Sequence, residues 1–97
     1  MYDKEQILSL VRALKPELQS RYPVKSLALF GSLVRGQQTS TSDVDLLADL
    51  DESATLFDLV GLALFLEEEL GCKVDVVPRR ALRPEIREAV LNEAVTV

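Results

Sequence analysis

The sequence contains no histidine and a single cysteine, Cys72. These absences exclude Ser-His-Asp and Cys-His nucleophilic sites, zinc sites built from cysteine and histidine, and disulfide scaffolds. Acid-base chemistry must therefore use carboxylates, and the chain has 16 acidic against 11 basic side chains, for a net charge of -5. An acidic chain does not attract nucleic acid or anionic membranes non-specifically, so no direct nucleic-acid binding is expected. An anionic substrate would need a bridging cation.

Long apolar runs are also missing from the sequence. The longest, from Leu59 to Leu66, is shorter than the roughly 20 residues that a membrane-spanning helix needs. Asp3, Lys4 and Glu5 precede a helical pattern and no apolar run follows a basic leader, so no targeting segment is expected. We therefore expect a cytoplasmic protein without membrane contact, formed by one domain over residues 1–97.

The spacing of apolar residues predicts the order helix, strand, strand, helix, strand, helix. The predicted strands are Lys25–Phe30, Asp43–Leu50 and Lys73–Pro78. A three-stranded sheet needs a packed face to be stable. We therefore expect an α/β (α+β) fold in which a small mixed three-stranded sheet packs against helices.

Two amphipathic patterns and, between them, a capped segment with a fully apolar run predict the helices. Their expected limits are Asp3 to before Pro23, Thr55 or Ser53 to Leu70 with Gly71 as the stop, and Pro84 in the first turn of a helix to about Ala94. Asp3 followed by Gln6 is a capping-box pattern. Pro16 is expected to kink or interrupt the first helix near Leu14.

The most informative block starts directly after the first strand with Gly31 and Ser32 and ends at Gly36. A glycine and a serine that open a short helical turn can present backbone N–H groups and a hydroxyl to a phosphate, although ordinary turns use the same pair. The two glycines also have Walker A spacing, but Gln37 and Gln38 stand where that loop needs lysine and serine or threonine. A P-loop is excluded, and both a phosphate cradle and an ordinary turn stay open.

Three aspartates on the predicted strands are the candidates for chemistry. Asp43 and Asp45 alternate with Val44, so their side chains share one face about 6–7 Å apart at the backbone, close enough to share two divalent cations. Two acids at a solvent-facing strand end are the alternative. Asp75 lies in an apolar strand, where aspartate is depleted, so it either faces water or joins the other two. If the two strands are neighbours, three carboxylates converge and require bound Mg²⁺ or Mn²⁺.

Together these residues resemble the signature of the nucleotidyltransferase (DNA polymerase β-like) superfamily. The matching motifs are Gly31-Ser32, Arg35-Gly36 and Ser42-Asp43-Val44-Asp45-Leu46, with five residues between the last two motifs. More narrowly, nearly the whole chain resembles the minimal nucleotidyltransferases that are the antitoxins of HEPN/MNT toxin-antitoxin pairs. The resemblance implies magnesium-dependent transfer of AMP from ATP to a hydroxyl, that of a tyrosine, on a HEPN ribonuclease toxin, which is thereby neutralised. An antitoxin or nucleotide-binding regulator that acts by binding alone is the alternative.

The resemblance also implies which residues bind the nucleotide. Gly31 and Ser32 would contact the β- and γ-phosphates, and Arg35 and Ser42 would be further nucleotide-binding residues. Position 33 is leucine, where many relatives carry a basic or polar residue, so one phosphate contact of the family is absent. Arg35 could supply charge instead, or form an exposed surface ion pair.

The implied catalytic and metal-binding residues are the three aspartates. Asp43 and Asp45 would hold two magnesium ions, with manganese as a substitute. Asp75 would help to bind one ion and accept the proton of the attacking hydroxyl. In a protein without histidine a carboxylate is the natural base.

Two further segments suggest contacts with a partner. The run from Leu59 to Leu66 has no polar side chain and covers every side of a helix, which indicates an interface with a second copy, as a homodimer through residues 56–66, or with the toxin. Alternatively, Gly61 and Ala63 occupy the outer face and nothing binds. A basic cluster near the last helix either receives phosphates or an acidic partner or is an exposed basic face; its members are Arg79, Arg80, Arg83 and Arg87.

Overall fold

The structure is a computed structural model that describes residues 3–37 and 43–97. Its elements are α1 (Lys4–Arg21), β1 (Val24–Phe30), β2 (Val44–Leu50), α2 (Leu56–Leu70), β3 (Val74–Pro78), a 3₁₀ turn (Arg79–Ala81), α3 (Pro84–Glu93) and β4 (Val95–Thr96). The predicted α+β class and the order of its six elements are confirmed. Neither described range contains a helix that is long and apolar enough to span a membrane.

The sheet has four strands in the order β3-β2-β1-β4, one more than predicted. β1 is antiparallel to β2 and β4, whereas β2 and β3 are parallel and joined through α2. β4 pairs Val95 with Leu29, and the N–H of Val97 donates to the carbonyl of Leu27. A two-residue strand is too short for alternation to reveal, so the sequence pattern missed it.

The first helix begins with the predicted capping box. Oδ1 of Asp3 accepts from the N–H of Gln6 at 2.8 Å, and Oε1 of Gln6 accepts from the N–H of Asp3 at 2.9 Å. The expected interruption at Pro16 is wrong, because the helix continues to Arg21. Val11 and Leu18, one on each side of the proline, are fully buried, and this packing outweighs the hydrogen bond that proline cannot donate.

The second helix has both predicted ends. Oγ1 of Thr55 accepts from the N–H of Asp58, and a carboxylate oxygen of Asp58 accepts from the N–H of Thr55, which makes Thr55 and not Ser53 the cap. Gly71 ends the helix in the left-handed conformation at φ +70°. Because both ends are fixed, α2 presents a defined outer face.

The outer face of α2 is apolar, so the alternative in which Gly61 and Ala63 occupy it is wrong. Gly61 lies under the ring of Tyr22, whose hydroxyl donates to the Gly61 carbonyl at 3.2 Å. The exposed residues are instead leucine, phenylalanine and valine; they are Leu56, Phe57, Val60 and Leu64.

The two faces of the sheet are covered unequally. Residues of α1 and α2 pack into one buried cluster with one alternating set of strand residues, among them Leu29, Leu46 and Val76. Alternation turns Asp45 and Asp75 to the opposite side, where α3 lies across the sheet without a single buried residue. We call this second side, which carries Phe30, Asp45, Asp75 and Val77, the open face.

Candidate active site

The strand register places two of the predicted aspartates side by side. Asp45 of β2 pairs with Asp75 of β3 in the parallel ladder, so the predicted neighbourhood of these strands is confirmed. Phe30 of β1 lies opposite Asp45 in the antiparallel ladder. Asp43 directly precedes β2 and is half-buried. The ends of three strands therefore bring the aspartates and the start of the Gly31 turn to one edge of the open face.

Gly31 touches the Asp45 carboxylate so closely that no side chain fits between them. A Cβ on Gly31 would overlap Oδ2 of Asp45 and lie 2.9 Å from its Cγ, and the glycine has φ +85°. Both facts require glycine here. The backbone of the turn thus lies directly against a carboxylate of the candidate site.

Leu33 attaches this turn to the hydrophobic core. Its side chain is buried in the core cluster, while Ser32 beside it is half-buried. The N–H groups of Val34 and Arg35 both donate to the carbonyl of Gly31, at 3.1 and 3.2 Å, and close a helical turn. Leucine at position 33 therefore has a packing role, which explains how a turn that could contact phosphate is fixed without a polar residue there.

The carboxylates of the site repel one another. Burial raises the pKa of Asp45 most, and the negative charges of Asp75 and then Asp43 raise it further, against a smaller lowering by Arg35. Ionising Asp45 therefore costs more in the folded chain than in the unfolded one, and a nearby cation would reduce that cost.

The donor set of the site suits a hard divalent cation by its chemistry. Within residues 3–37 and 43–97, no three carboxylate, histidine or cysteine side chains lie close enough together to hold a metal ion. Carboxylate oxygens are the ligands that Mg²⁺ and Mn²⁺ prefer. Burial, then the charges of Asp75 and Asp43, raise the pKa of Asp45, so a cation bound beside these carboxylates would offset their repulsion. In their chemistry the residues fit such an ion.

Arg35 forms an ion pair that links the Gly31 turn to α3. Its Nη1 lies 2.6 Å from Oε1 of Glu93, and its Nε donates to Oε1 of Gln37 at 3.0 Å. The predicted alternative of a surface pair is thus observed for Arg35. Glu93 also raises the pKa of Asp45, so it lies within electrostatic range of the carboxylates.

A groove of about 430 Å³ lies between the open face and α3. The charged residues of its lining are Asp45 and Asp75 on the sheet, Arg35 in the Gly31 turn, and Arg83 and Glu93 at the two ends of α3. The rest of the lining is mostly apolar and includes Phe30, Val77, Leu82, Ile86 and Val90. An apolar groove with a few convergent charged groups is typical of a site for a small organic ligand.

The four predicted basic residues do not act as one cluster. Arg83 lines the groove, whereas Arg79 lines a separate depression. Nη2 of Arg87 donates to the carbonyl of Leu82 at 3.1 Å and so braces the start of α3. All four, Arg80 included, are exposed.

Comparison with known proteins assigns a family to this arrangement. Residues 11–97 match the family described as nucleotidyltransferase domain. The chain belongs to the nucleotidyltransferase family. A member from Thermococcus cleftensis, named protein adenylyltransferase MntA, is 40% identical over 97 residues, which are 100% of this chain and 98% of that protein.

Solved structures of the nucleotidyltransferase fold agree with this assignment. One that is named as a minimal nucleotidyltransferase has a TM-score of 0.83 at 38% identity and covers 99% of this chain and 97% of its own. Another comes from a complex of a tri-AMPylated Shewanella oneidensis HEPN toxin with an MNT antitoxin; the TM-score is 0.69 and the coverage 93% and 70%. At 19% identity the second likeness shows the fold alone.

Two residues of this nucleotidyltransferase stand apart from the predictions confirmed above. Ser42, predicted to bind nucleotide, lies outside the described residues. Glu93 was missed, because it lies 58 positions from Arg35 and no local motif connects the two. The only available signal was an acid at the end of an otherwise amphipathic last helix, which is also what a solvated helix end looks like.

Proposed function

We propose that this nucleotidyltransferase is a magnesium-dependent protein adenylyltransferase. It transfers AMP from ATP to a tyrosine hydroxyl of a HEPN-type toxin and thereby neutralises the toxin. One observation carries the proposal: Asp45 and Asp75 are register partners directly beside the Gly31 turn, at the mouth of a groove. The full-length likeness to a protein adenylyltransferase supports the choice of substrate.

The residues divide the work of transfer by their positions. Asp43, Asp45 and Asp75 would hold the divalent ions, which when bound neutralise phosphate charge. Gly31 and Ser32 present a turn to the β- and γ-phosphates, as helix-opening turns commonly do. The groove is large enough for a nucleotide-sized ligand, and its apolar walls suit a purine ring.

The proposed reaction is an in-line displacement at the α-phosphorus of ATP. The hydroxyl oxygen forms a bond to this phosphorus, the bond to pyrophosphate breaks, and pyrophosphate leaves. Asp75 accepts the hydroxyl proton, because it is exposed whereas its neighbour Asp45 is half-buried and closed off by Gly31. Arg83, on the opposite wall of the groove, lies where it can offset negative charge on the phosphates.

The test is incubation of the chain with ATP, Mg²⁺ and the product of the neighbouring gene, the expected HEPN-type acceptor, followed by intact-mass spectrometry of both chains. We expect the HEPN-type protein to gain the mass of one or more AMP groups. Asp45→Asn should lower the rate about 10³-fold or more, because it removes a ligand and its charge. If no mass is added to the acceptor, the proposal of transfer is wrong.

A matched control distinguishes this site from general loss of charge. Asp49 lies on the same strand and lines the separate depression instead of the groove. Asp49→Asn should therefore leave the transfer rate within about twofold of the wild type, since Asp49 does not line the groove. Equal losses in the two variants would contradict the assignment of the site.

Neutralisation by binding alone is the second candidate function, and the exposed apolar face of α2 favours it. Measuring the ribonuclease activity of the toxin in the same incubation separates the two. If Asp45→Asn abolishes transfer and the variant still inhibits the toxin fully, binding is sufficient; if inhibition is lost together with transfer, AMP transfer is the means of neutralisation.

A further inference from the structure

The outer face of α2 carries four of the five large apolar side chains that are most exposed within the described residues. Phe57 is 89% exposed, Leu56 73%, Leu64 60% and Val60 49%. We call these four residues the α2 stripe. Contiguous apolar surface of this kind marks an interaction site more often than a free surface.

The α2 stripe is a consequence of the helix's sequence and not of loose packing. Leu62, Leu66 and Leu70 on the opposite side are fully buried or nearly so, which fixes the rotation of the helix. Phe57 and Leu64 are two turns apart on the outer side. The stripe is therefore an apolar surface of fixed orientation on a helix that is capped at both ends.

Acidic residues border the α2 stripe at both of its ends. Asp51 and Glu52 precede the helix, and Glu68 follows Leu64 by four residues on the same side; all three are exposed. Arg21, a basic residue that contacts α2, lies over the ring of Phe65 and pairs with Glu17 at 2.7 Å. The charge available to a partner at the ends of the stripe is therefore negative.

This border argues against a second copy of the chain as the occupant. A two-fold antiparallel pairing of α2 helices would place Asp51 and Glu52 of one copy against Glu68 of the other, and a parallel pairing would place each acid against itself. Like charges that meet across an interface are strongly unfavourable. The net charge of -5 adds to this repulsion.

We propose that the α2 stripe docks a partner protein through an apolar helix face that is bordered by lysine or arginine. In the proposed function this partner is the HEPN-type acceptor, and for the identity of the partner the inference rests on that function. The stripe lies on the helix-covered side of the sheet, away from the open face with Asp45 and Asp75. Docking there leaves the groove accessible to ATP, and the acceptor hydroxyl must then come from a part of the same partner other than the docked helix. Binding and transfer can therefore be separated by mutation.

The test measures the affinity of the full chain for the HEPN-type protein encoded beside it, by isothermal titration calorimetry. Phe57→Glu combined with Leu64→Glu should weaken the complex at least a hundredfold. The dissociation constant for ATP should remain within twofold, because neither residue lines the groove. The matched control, Ser9→Glu combined with Ala13→Glu, adds the same charge to exposed positions of α1 and should leave the complex unchanged.

The charge of the partner is tested separately. Glu52→Lys combined with Glu68→Lys should weaken the complex at least tenfold, and the loss should diminish at high salt. Stronger binding by this variant would overturn the proposed basic border. The chain alone should be a monomer by light scattering; a dimer that Phe57→Glu dissociates would show that a second copy is the occupant.

The remaining outcomes also decide the proposal. Unchanged affinity in the Phe57/Leu64 variant, or no complex with the wild-type chain, overturns docking through the stripe. If the wild-type complex forms and depends on the stripe but no AMP is transferred, docking stands and the proposed function fails.

Discussion

The helix-covered side of the sheet and the open face differ in what their side chains contact. On the first side α1 and α2 bury seven residues in the core: Ile7, Leu8, Val11, Leu18, Leu62, Leu66 and Leu70. On the second side α3 buries none, and a groove separates it from the strands. Since stability comes mainly from apolar burial, one side maintains the fold while the other is free to carry charge and bind ligand.

The same alternation of strand residues produces this division. In β2, the side chain of Leu46 is fully buried on the helix-covered side. The side chain of Asp45, the preceding residue, lies on the open face, where it contacts Gly31 and is the register partner of Asp75 in β3. A pleated strand with one packed face can position carboxylates rigidly without burying them in the core. The rigidity of the site is thus supplied from the opposite side of the sheet.

The largest expected effect is a loss of stability from a substitution on the helix-covered side of the sheet. Leu66→Ala should lower the free energy of unfolding by about 2–5 kcal/mol, because it leaves a cavity in the core. Ile86→Ala on α3, where the side chain is half-exposed, should cost less than about 1 kcal/mol. Urea unfolding of both variants measures the difference, and equal costs would show that α3 packs as tightly as α2.

The next largest effect is on the rate of AMP transfer, and two glycine substitutions distinguish backbone strain from crowding of the Asp45 carboxylate. Gly31→Ala should lower the rate of AMP transfer about 10²-fold or more, because the new Cβ would displace the Asp45 carboxylate. Gly36→Ala is the matched control: this glycine also has positive φ, +71°, but nothing lies within 4 Å of an added Cβ. It should cost about 1 kcal/mol of stability and leave the transfer rate nearly unchanged. Equal losses of transfer would mean that strain in the turn, and not contact with Asp45, controls activity.

The smallest expected effect is the dependence of stability on pH. Burial, then Asp75 and Asp43, raise the pKa of Asp45 above its ordinary value of 3.8. Between pH 3.8 and the raised pKa, the folded chain binds more protons than the unfolded chain. The free energy of unfolding therefore falls as the pH rises through this range. Without divalent ions, Asp45→Asn should therefore melt at a higher temperature than the wild type at pH 7, and the difference should vanish near pH 3. A variant that melts at a lower temperature at pH 7 would contradict the proposed repulsion.

Local patterns predicted most of the fold but not its long-range contacts. The capping residues Asp3 and Thr55, the stop at Gly71 and three strands within one residue of their observed limits all follow from local spacing. Pro16 was misjudged because tertiary packing of α1 overrides a local preference. The short strand at Val95 was missed because only pairing with β1 creates it.

For the candidate site too, local motifs predicted the residues but not the contacts between residues distant in sequence. Gly31 and the three aspartates were named from their motifs, and the register then placed Asp45 beside Asp75. Glu93 as the partner of Arg35 could not be named, since pairs so distant in sequence are fixed only by the fold. The crowding of Gly31 against Asp45 likewise depends on the antiparallel pairing of β1 with β2.

The most direct test of the open face as a nucleotide site needs no partner protein. Isothermal titration calorimetry of the chain with ATP should show binding in the presence of Mg²⁺, at least tenfold weaker binding after EDTA, and the same loss for Asp45→Asn but not for Asp49→Asn. Binding that is independent of both Mg²⁺ and Asp45, or no binding at all, would contradict the assignment of the Asp45–Asp75 face as the site of transfer.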